Sequence, residues 1–359
     1  MLGITRGIRF AAVLASSLLL GTVAACGSSS ETATPAASAS AAPPAGTTAP
    51  AAAFPVTIEH KFGSTTVPAA PQRIFTVGLT DQDAAIALGV VPVGTTNWFG
   101  GFPGAIGPWA TPKLNGAPVP TLLEDPGTGP QVEKIAALKP DLILALYAGL
   151  TKEQYETLSK FAPVVAQPAA YNDYGIPWQE QTLITGKALG KEAEAKALVD
   201  EVETKFKTMA AEHPEFAGKK AVVATPYEGF FVYGSQDTRS RNLVSLGFGL
   251  PEDLDAVIGD KFGASISKER SDLLDQDLII WTVPDTKKDV ETLHKDAVYK
   301  DMKVVAEGRE VFIGESTNYG VAFSFVTVLS LPYVLDRLVP QLAQAVDGDP
   351  ATKVEPAAD

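Results

Sequence analysis

Short apolar runs alternate with amphipathic segments from residue 54 onward, which is the pattern of an α/β protein. The runs at 142–146 and 278–281 are continuously apolar, as expected for strands buried on both faces. The same alternation extends through 73–166 and again through 220–313. Strands that alternate with helices predict parallel sheets covered on both faces. We therefore predict an α/β fold with two Rossmann-like lobes, each built on a parallel sheet.

Two segments, 131–145 and 267–281, resemble each other with five identities in fifteen positions. Each begins with an amphipathic stretch that carries a glutamate in its first turn, Glu133 or Glu269, and each ends in one of the apolar strands. A repeat of this length indicates one α/β unit used twice. We expect one copy in each lobe.

Segment 178–212 lies between the two copies and has a different pattern. It lacks proline, is rich in alanine, and carries apolar residues along one side. At about 1.5 Å per residue, one helix over this segment would be roughly 50 Å long. We expect a single rigid helix joining the lobes. The predicted organisation is a signal peptide (1–25), a tether (26–54), an N-terminal lobe (55–176), a bridging helix (177–213), a C-terminal lobe (214–345) and a frayed tail (346–359).

The first 54 residues predict export and attachment to a membrane. Arg6 and Arg9 precede an apolar stretch that is too short to span a bilayer comfortably, which is typical of a signal peptide. The sequence VAAC ending at Cys26 resembles a bacterial lipobox, and Cys26 is the only cysteine, so no intramolecular disulfide can form. We expect a lipid anchor on Cys26, the outer face of the cytoplasmic membrane as the location, and a flexible tether beyond it. The alternative is an ordinary secretory signal followed by a free thiol.

The net charge of −13 argues against nucleic acid as a partner and against polybasic attachment to anionic lipid. Motifs for a nucleophile elbow, a phosphate loop or a dinucleotide-binding turn are absent from the sequence. The three histidines, at 60, 213 and 294, are far apart, which argues against a metal held by imidazoles. The missing motifs and the separated histidines therefore favour a binding protein over an enzyme.

Aromatic and polar residues follow most of the predicted strands. Ligands of open parallel sheets bind beyond the carboxyl ends of the strands, so these residues are candidates for a cleft that suits a flat or bulky ligand. Arg239 and Arg241 could clamp an anionic group or stack on the ligand. The alternative for each aromatic residue is packing in the core or in a loop. The alternative for each arginine is a solvated position on the surface. The remaining candidates are Trp98, Phe99, Tyr147, Tyr227, Phe231, Tyr233, Trp281, Asn318 and Tyr319.

Several short motifs, in this order, resemble the solute-binding proteins of ABC importers, specifically the ferric-siderophore and cobalamin group. The motifs are RI at 73–74, LGVVPVG at 88–94, EKI at 133–135, LKPDLI at 138–143, FAPVV at 161–165 and LG at 246–247. The resemblance implies a monomeric, non-catalytic receptor of two lobes joined by one long helix. It also implies that Glu133 and Glu269 dock onto basic residues of the importer permease. Stabilisation of a helix N-terminus is the alternative role of these glutamates.

The resemblance further implies that the ligand is a ferric siderophore, which encloses its own iron, so neither a protein metal site nor a cofactor is expected. Because only Arg239 falls near an arginine position of the family, a hydroxamate or mixed chelate of low charge is favoured over a tris-catecholate. Haem or cobalamin is the first alternative, with Tyr147, Tyr227 or Tyr319 as an axial ligand of haem. An anchored α/β hydrolase is the alternative from another class, and it would need a nucleophile–base pair.

Overall fold

The structure of the protein is a computed structural model that describes residues 54–98, 100–125 and 127–358. The predicted signal peptide, Cys26 and the tether up to residue 53 lie outside the described residues. All described residues belong to one compact unit. Among them, no helix is long and apolar enough to cross a membrane.

The N-terminal lobe contains a parallel sheet preceded by a hairpin of β1 (Val56–His60) and β2 (Gly63–Val67). The sheet has the order β5-β4-β3-β6-β7, and all neighbouring strands are parallel, as predicted. Its strands are β3 (Ile74–Thr76), β4 (Gly94–Thr96), β5 (Thr121–Leu123), β6 (Leu142–Ala145) and β7 (Val164–Ala166). Its helices are α1 (Asp81–Ala87), α2 (Val132–Ala137) and α3 (Lys152–Leu158). Every residue of β6 is buried, because helices cover both faces of the sheet.

The C-terminal lobe has a sheet of order β10-β9-β8-β11-β12. Its strands are β8 (Ala221–Thr225), β9 (Phe230–Tyr233), β10 (Gly263–Ile266), β11 (Leu278–Val283) and β12 (Glu310–Gly314). Its helices are α6 (Thr238–Ser245), α7 (Leu254–Ile258), α8 (Lys288–Leu293), α9 (Lys303–Ala306), α10 (Asn318–Ser324) and α11 (Ser330–Ala345). Strands β8, β11 and β12 are parallel, whereas β9 is antiparallel to both β8 and β10.

This second sheet is therefore mixed, and the prediction of a purely parallel sheet was wrong for it. The reason is the short connection between β8 and β9. Glu228 has φ 47° and Gly229 has φ 98°, so the chain turns back on itself within four residues and β9 pairs as a hairpin. A parallel pair would need a crossover of a dozen or more residues.

The repeated segments occupy equivalent places. Strand β6 is fourth in the first sheet and β11 is fourth in the second. The aspartates just before them have the same role: Asp141 accepts hydrogen bonds from the backbone N–H groups of Gln72 and Arg73, and Asp277 accepts one from Lys220. Each carboxylate thus connects the start of its strand to the start of the neighbouring strand. The segment with Glu133 is helix α2, whereas the segment with Glu269 is the 3₁₀-helix Lys268–Leu273.

The connection between the lobes consists of two helices, α4 (Trp178–Leu189) and α5 (Glu192–Glu212), rather than the single helix predicted. Gly190 has φ 69° and ends α4 in a left-handed cap, and the Lys191 N–H donates to the Gly186 carbonyl. Leu189 packs in the core of the N-terminal lobe, while Phe206 packs in the core of the C-terminal lobe. Each helix is therefore anchored mainly in one lobe.

The end of the chain is also better fixed than predicted. Residues 347–358 form no regular helix or strand, but they lie along α11. The Gln341 side chain donates to the Glu355 carbonyl, and Arg337 donates to the Ala358 carbonyl. The expectation of a frayed tail was wrong for these residues.

Candidate functional site

A cavity of about 460 Å³ lies at the carboxyl ends of β11 and β12, and residues from both lobes line it. Its walls combine two aromatic rings, several hydroxyl groups and two opposite charges. The residues that line it are Gly100 from the N-terminal lobe and Tyr233, Arg239, Thr282, Glu315, Ser316, Ser324 and Phe325 from the C-terminal lobe. The volume falls within the usual range for small-molecule sites.

Arg239 is held rigidly on one wall of this cavity. Asp237 accepts two bonds from its guanidinium, from Nε at 2.8 Å and from Nη2 at 2.7 Å, and caps helix α6 through the Arg239 N–H. The guanidinium carbon lies 3.7 Å from the centroid of the Tyr233 ring. Burial opposes the charge of Arg239, but the attraction and hydrogen bonds of Asp237 outweigh it and raise the pKa. The guanidinium therefore remains charged, and Nη1 is the nitrogen that these bonds leave over.

Glu315 stands directly after β12 and supplies the second charge of the lining. Burial raises the pKa of Glu315, and repulsion from Asp289 raises it further. The Ser316 and Ser324 hydroxyls and Thr282 add hydrogen-bonding groups to the same lining. The arrangement can hold a polar ligand through hydrogen bonds and pack a bulky one against Tyr233 and Phe325.

Two predicted residues lie just behind the cavity. Trp98 is buried, donates from Nε1 to the Ala105 carbonyl at 3.1 Å, and packs edge-on against Phe325 at 5.3 Å. Tyr147 is buried against Tyr174, and its pKa is raised mainly by burial, with Asp237 and Arg239 among the charges that act on it. Trp98 therefore supports the wall, and Tyr147 lies close to the Asp237–Arg239 pair. Phe99 lies outside the described residues.

Trp281 was predicted to face the ligand, and this prediction was wrong. Strand β11 continues for two residues beyond it, to Val283, so Trp281 lies within the strand. Its side chain is 0% exposed, and Nε1 donates to the Tyr299 hydroxyl at 2.7 Å. Since successive residues of a strand alternate between faces, Thr282 reaches the cavity and Trp281 the core.

Tyr319 was likewise wrongly assigned to the cleft. It is buried on α10 in the core of the C-terminal lobe, and its hydroxyl donates to Gln341 at 3.0 Å. Asn318, the first residue of α10, is half-buried but does not line the cavity. Both predictions placed these residues at the end of the strand, but the strand ends at Gly314, and Glu315 and Ser316 are the residues that directly follow it.

The two aromatics near the β8–β9 turn also lie away from the cavity lining. Tyr227 is 62% exposed in the turn itself. Phe231 is half-buried and packs against Tyr233 at 5.3 Å and Phe262 at 5.9 Å. Of the eight predicted aromatic and asparagine candidates that the structure describes, Tyr233 alone is among the lining residues.

Arg241 lies beside a second cavity of about 570 Å³, which also touches Tyr171 and Trp178 near the start of α4. Its Nη1 donates to the Gly175 carbonyl of the N-terminal lobe at 2.7 Å, and its Nη2 donates to Gln236 at 3.0 Å. The main observed role of Arg241 is therefore to connect α6 to the other lobe.

A buried carboxylate makes a further contact between the lobes. Asp83 on α1 is 0% exposed, and its Oδ2 accepts bonds from Trp109 Nε1 and from the Thr327 hydroxyl, both at 2.7 Å. Thr327 precedes α11 of the C-terminal lobe. Asp83 Oδ1 has no hydrogen-bond partner. Burial raises the pKa of Asp83 to about 6, while these two donors oppose the rise.

Glu133 and Glu269 are both exposed. Helix α2 runs from the carboxyl edge of its sheet to the amino edge, so Glu133 in its first turn lies at the carboxyl edge. Strand β10 runs in the same direction as β8, so Glu269, three residues after β10, lies at the corresponding edge of the second sheet. A hydrogen bond with Ser267 lowers the pKa of Glu269. Both glutamates thus stand at the edge where the cavity opens.

The residues missed by sequence reasoning are mostly small and polar. Glu315 and Ser316 could have been found by applying the strand-end rule to polar as well as aromatic residues. Ser324 and Phe325 had no signal, because they reach the cavity from the end of α10. Within the described residues, no group of three or more histidine, cysteine, aspartate or glutamate side chains could hold a metal ion.

Two α/β lobes, a helical connection and a cavity between the lobes define an α/β solute-binding protein. A model of the family described as periplasmic binding protein matches residues 94–317. The chain belongs to this family. The predicted resemblance to the ferric-siderophore group of ABC-importer binding proteins is thereby confirmed.

Relatives and solved structures agree with this assignment. A periplasmic solute binding protein from Mycobacterium smegmatis is 36% identical with a TM-score of 0.71, over 81% of this chain and 98% of that one. PiaA from Streptococcus pneumoniae, solved in complex with ferrichrome, is 31% identical with a TM-score of 0.72, over 82% and 99%. The Fe(3+)-citrate-binding protein YfmC of Bacillus subtilis is 27% identical over 70% of this chain and 76% of its own length.

Proposed function

We propose that the protein captures a ferric siderophore in the cavity between its lobes and delivers it to an ABC importer without chemical conversion of the ligand. The observation that carries this proposal is the lining of the cavity. It offers hydroxyl groups, a fixed arginine and aromatic surface, and these groups suit a chelate that already encloses its iron. The names of the relatives, which include ferrichrome and ferric citrate as ligands, support iron chelates as the ligand class.

Haem is less well supported as the ligand, because the tyrosines considered as axial ligands are badly placed. Tyr319 is buried in the core, and Tyr227 is exposed away from the cavity. Burial raises the pKa of Tyr147, which disfavours the phenolate that would bind haem iron. No comparable obstacle exists for a siderophore, whose iron needs no protein ligand.

We further propose that Cys26 carries a lipid that holds the protein at the outer face of the cytoplasmic membrane. The lipobox-like sequence VAAC and the absence of any other cysteine support this. Labelling of cells with a radioactive fatty acid should mark the full chain but not the C26A variant. Equal labelling of both chains would refute the anchor.

The binding proposal is tested by titrating the purified full chain with ferrichrome while tryptophan fluorescence is recorded. Trp98 packs against Phe325 of the cavity wall, so a bound iron chelate should quench its emission. We expect saturable quenching at micromolar concentration or below, and little response to iron-free ferrichrome. The R239A variant should bind at least tenfold more weakly. Absence of quenching by ferrichrome, ferrioxamine B and ferric citrate alike would overturn the proposed function.

A further inference from the structure

The charges of the cavity are arranged so that its positive group is already compensated. Both oxygens of Asp237 accept bonds from the Arg239 guanidinium, at 2.7 and 2.8 Å, and both residues are largely buried. A buried pair of this geometry presents hydrogen-bond donors to a ligand but little net positive charge. Arg239 is thus poorly suited to neutralise a strongly anionic chelate.

Glu315 has no such compensation. Among the described residues it forms no salt bridge, and the charged group that acts on it most clearly is another carboxylate, Asp289. Lys287 and Lys288, which follow β11, do not line the cavity; their backbone N–H groups donate to Asp285, and these bonds and the lysine charges lower the pKa of that carboxyl group. The cavity therefore carries one carboxylate in excess.

Among the described residues, no basic residue of the N-terminal lobe lines the cavity. Between Arg73 and Lys134, the only basic residue is Lys113, which lies on the 3₁₀-helix Thr111–Leu114 and does not line the cavity. Glu124 and Asp125 instead follow the carboxyl end of β5, on the edge that faces the cavity. These two carboxylates have the same sign as Glu315.

Ferric chelates differ in net charge, which is the property that such a cavity would distinguish. A ferric trihydroxamate such as ferrichrome is neutral, ferrioxamine B gains a positive charge from its free amine, and ferric dicitrate and tris-catecholates are anions. Glu315 is solvent-exposed, but it lines the cavity, so its carboxylate repels an anion held a few ångströms away. Hydroxamate oxygens, in contrast, accept hydrogen bonds from hydroxyl groups and from Arg239 without needing a net positive site.

We propose that Glu315 is a specificity-determining residue that makes the cavity select ferric chelates without net negative charge, so that trihydroxamates are its substrate class. This inference rests on the proposed function. It separates the chain from YfmC, whose name assigns it ferric citrate, although the two are related. Thr282, Ser316 and Ser324 supply the hydrogen bonds to the ligand, and Tyr233 and Phe325 pack against its organic part.

The test compares ferrichrome, ferrioxamine B and ferric dicitrate on the wild-type full chain, on E315Q and on E201Q. Glu201→Gln removes the same charge from an exposed position on α5 and is the matched control. Wild type and E201Q should bind both hydroxamates at least about tenfold more tightly than ferric dicitrate. E315Q should gain about tenfold in affinity for ferric dicitrate, which is about 1.4 kcal/mol, and its ratio of affinities for ferrichrome and ferric dicitrate should fall at least about threefold below that of E201Q.

The outcomes separate this inference from the proposed function. Ferric dicitrate that binds the wild type as tightly as ferrichrome, with no gain in E315Q, overturns the selectivity and leaves siderophore binding intact. Loss of ferrichrome binding in an E315Q variant with an unchanged circular dichroism spectrum assigns Glu315 to a direct contact and also overturns it. No binding of any chelate to the wild type overturns both proposals.

Discussion

Asp83 shows how a single buried group can connect the two lobes and make stability depend on pH. Its Oδ2 holds Trp109 and Thr327, while Oδ1 is buried without a partner. The folded-state pKa is about 6 and the reference value is 3.8, so the folded state binds this proton more tightly than the unfolded state. The carboxyl group therefore stabilises the fold at low pH, and this contribution is lost as pH rises from about 4 to about 6.

The D83N variant tests this account. An amide oxygen in the place of Oδ2 can accept both existing bonds, and the NH₂ group takes the place of the unpartnered Oδ1. Between pH 4 and pH 7, the free energy of unfolding of the wild type should fall by roughly 2–3 kcal/mol relative to that of D83N, because only the wild type loses the Asp83 proton. Urea denaturation at several pH values measures it. The D83N variant should still lose some stability as pH rises, because burial also raises the pKa of Asp81 to about 6. A difference that does not change with pH would refute the role of Asp83.

The candidate site was only partly predictable at this scale. Tyr233 was predicted as an aromatic residue that follows a strand, and Arg239 as an arginine that could clamp or stack on a ligand, and both line the cavity. The prediction for Trp281 was wrong because the strand extends to Val283. A shift of one residue along a strand moves a side chain from the cavity face to the core face. Glu315 was missed although the same rule covers it, because the prediction chose Asn318 and Tyr319 instead of the two residues that directly follow β12.

The connection of α4 and α5 illustrates what the sequence does and does not determine at the scale of elements. The helical character of 178–212 follows from composition and apolar spacing, and both helices form there. The break at Gly190 depends on packing, because the helices turn so that Gly186 lies against Ala195. A Cβ on Gly186 would stand 2.3 Å from the Ala195 Cβ. The mixed sheet of the C-terminal lobe was not predicted because the direction of β9 depends on the conformation of the four-residue turn that follows β8.

This packing predicts that G186A is destabilising. The added methyl group must push the helices apart, which should cost about 1–3 kcal/mol in the free energy of unfolding. G249A is the control, since its Cβ would meet only one atom, at 3.9 Å. A195G introduced together with G186A should recover part of the loss. Unfolding midpoints in urea measure all variants, and a G186A variant as stable as G249A would contradict the close approach.

At the scale of the whole molecule, the two lobes meet through specific hydrogen bonds that lie outside the cavity lining. Asp83 and Thr327 meet in one place, and Arg241 reaches Gly175 in another. Asn172 also donates to the Asp260 carbonyl. Such contacts favour small relative motions of the lobes. The repeated α/β unit, the order of most elements and the two-lobed organisation were predictable from periodicity, whereas these contacts join residues too distant in sequence to be paired in advance.

The equivalent positions of Glu133 and Glu269 predict a role in delivery rather than capture. Both are exposed at the edge where the cavity opens, one on each lobe, and neither lines the cavity. The E133A/E269A double variant should reduce uptake of iron chelate by cells at least tenfold while its affinity for the chelate stays unchanged. E201A/E212A is the control for net charge, since both residues are exposed on α5. Reduced affinity in the double variant would show that the glutamates act on the ligand instead.

The position of the iron in a crystal of the ferrichrome complex tests the central claim most directly. Anomalous scattering at the iron absorption edge locates the metal directly, whatever the interpretation of the density for the chelate. We predict one peak in the cavity between Arg239 and Phe325, with six oxygens of the chelate around it and no protein side chain as a ligand. A peak in the second cavity beside Arg241 and Trp178, or iron bound directly by protein side chains, would contradict the account.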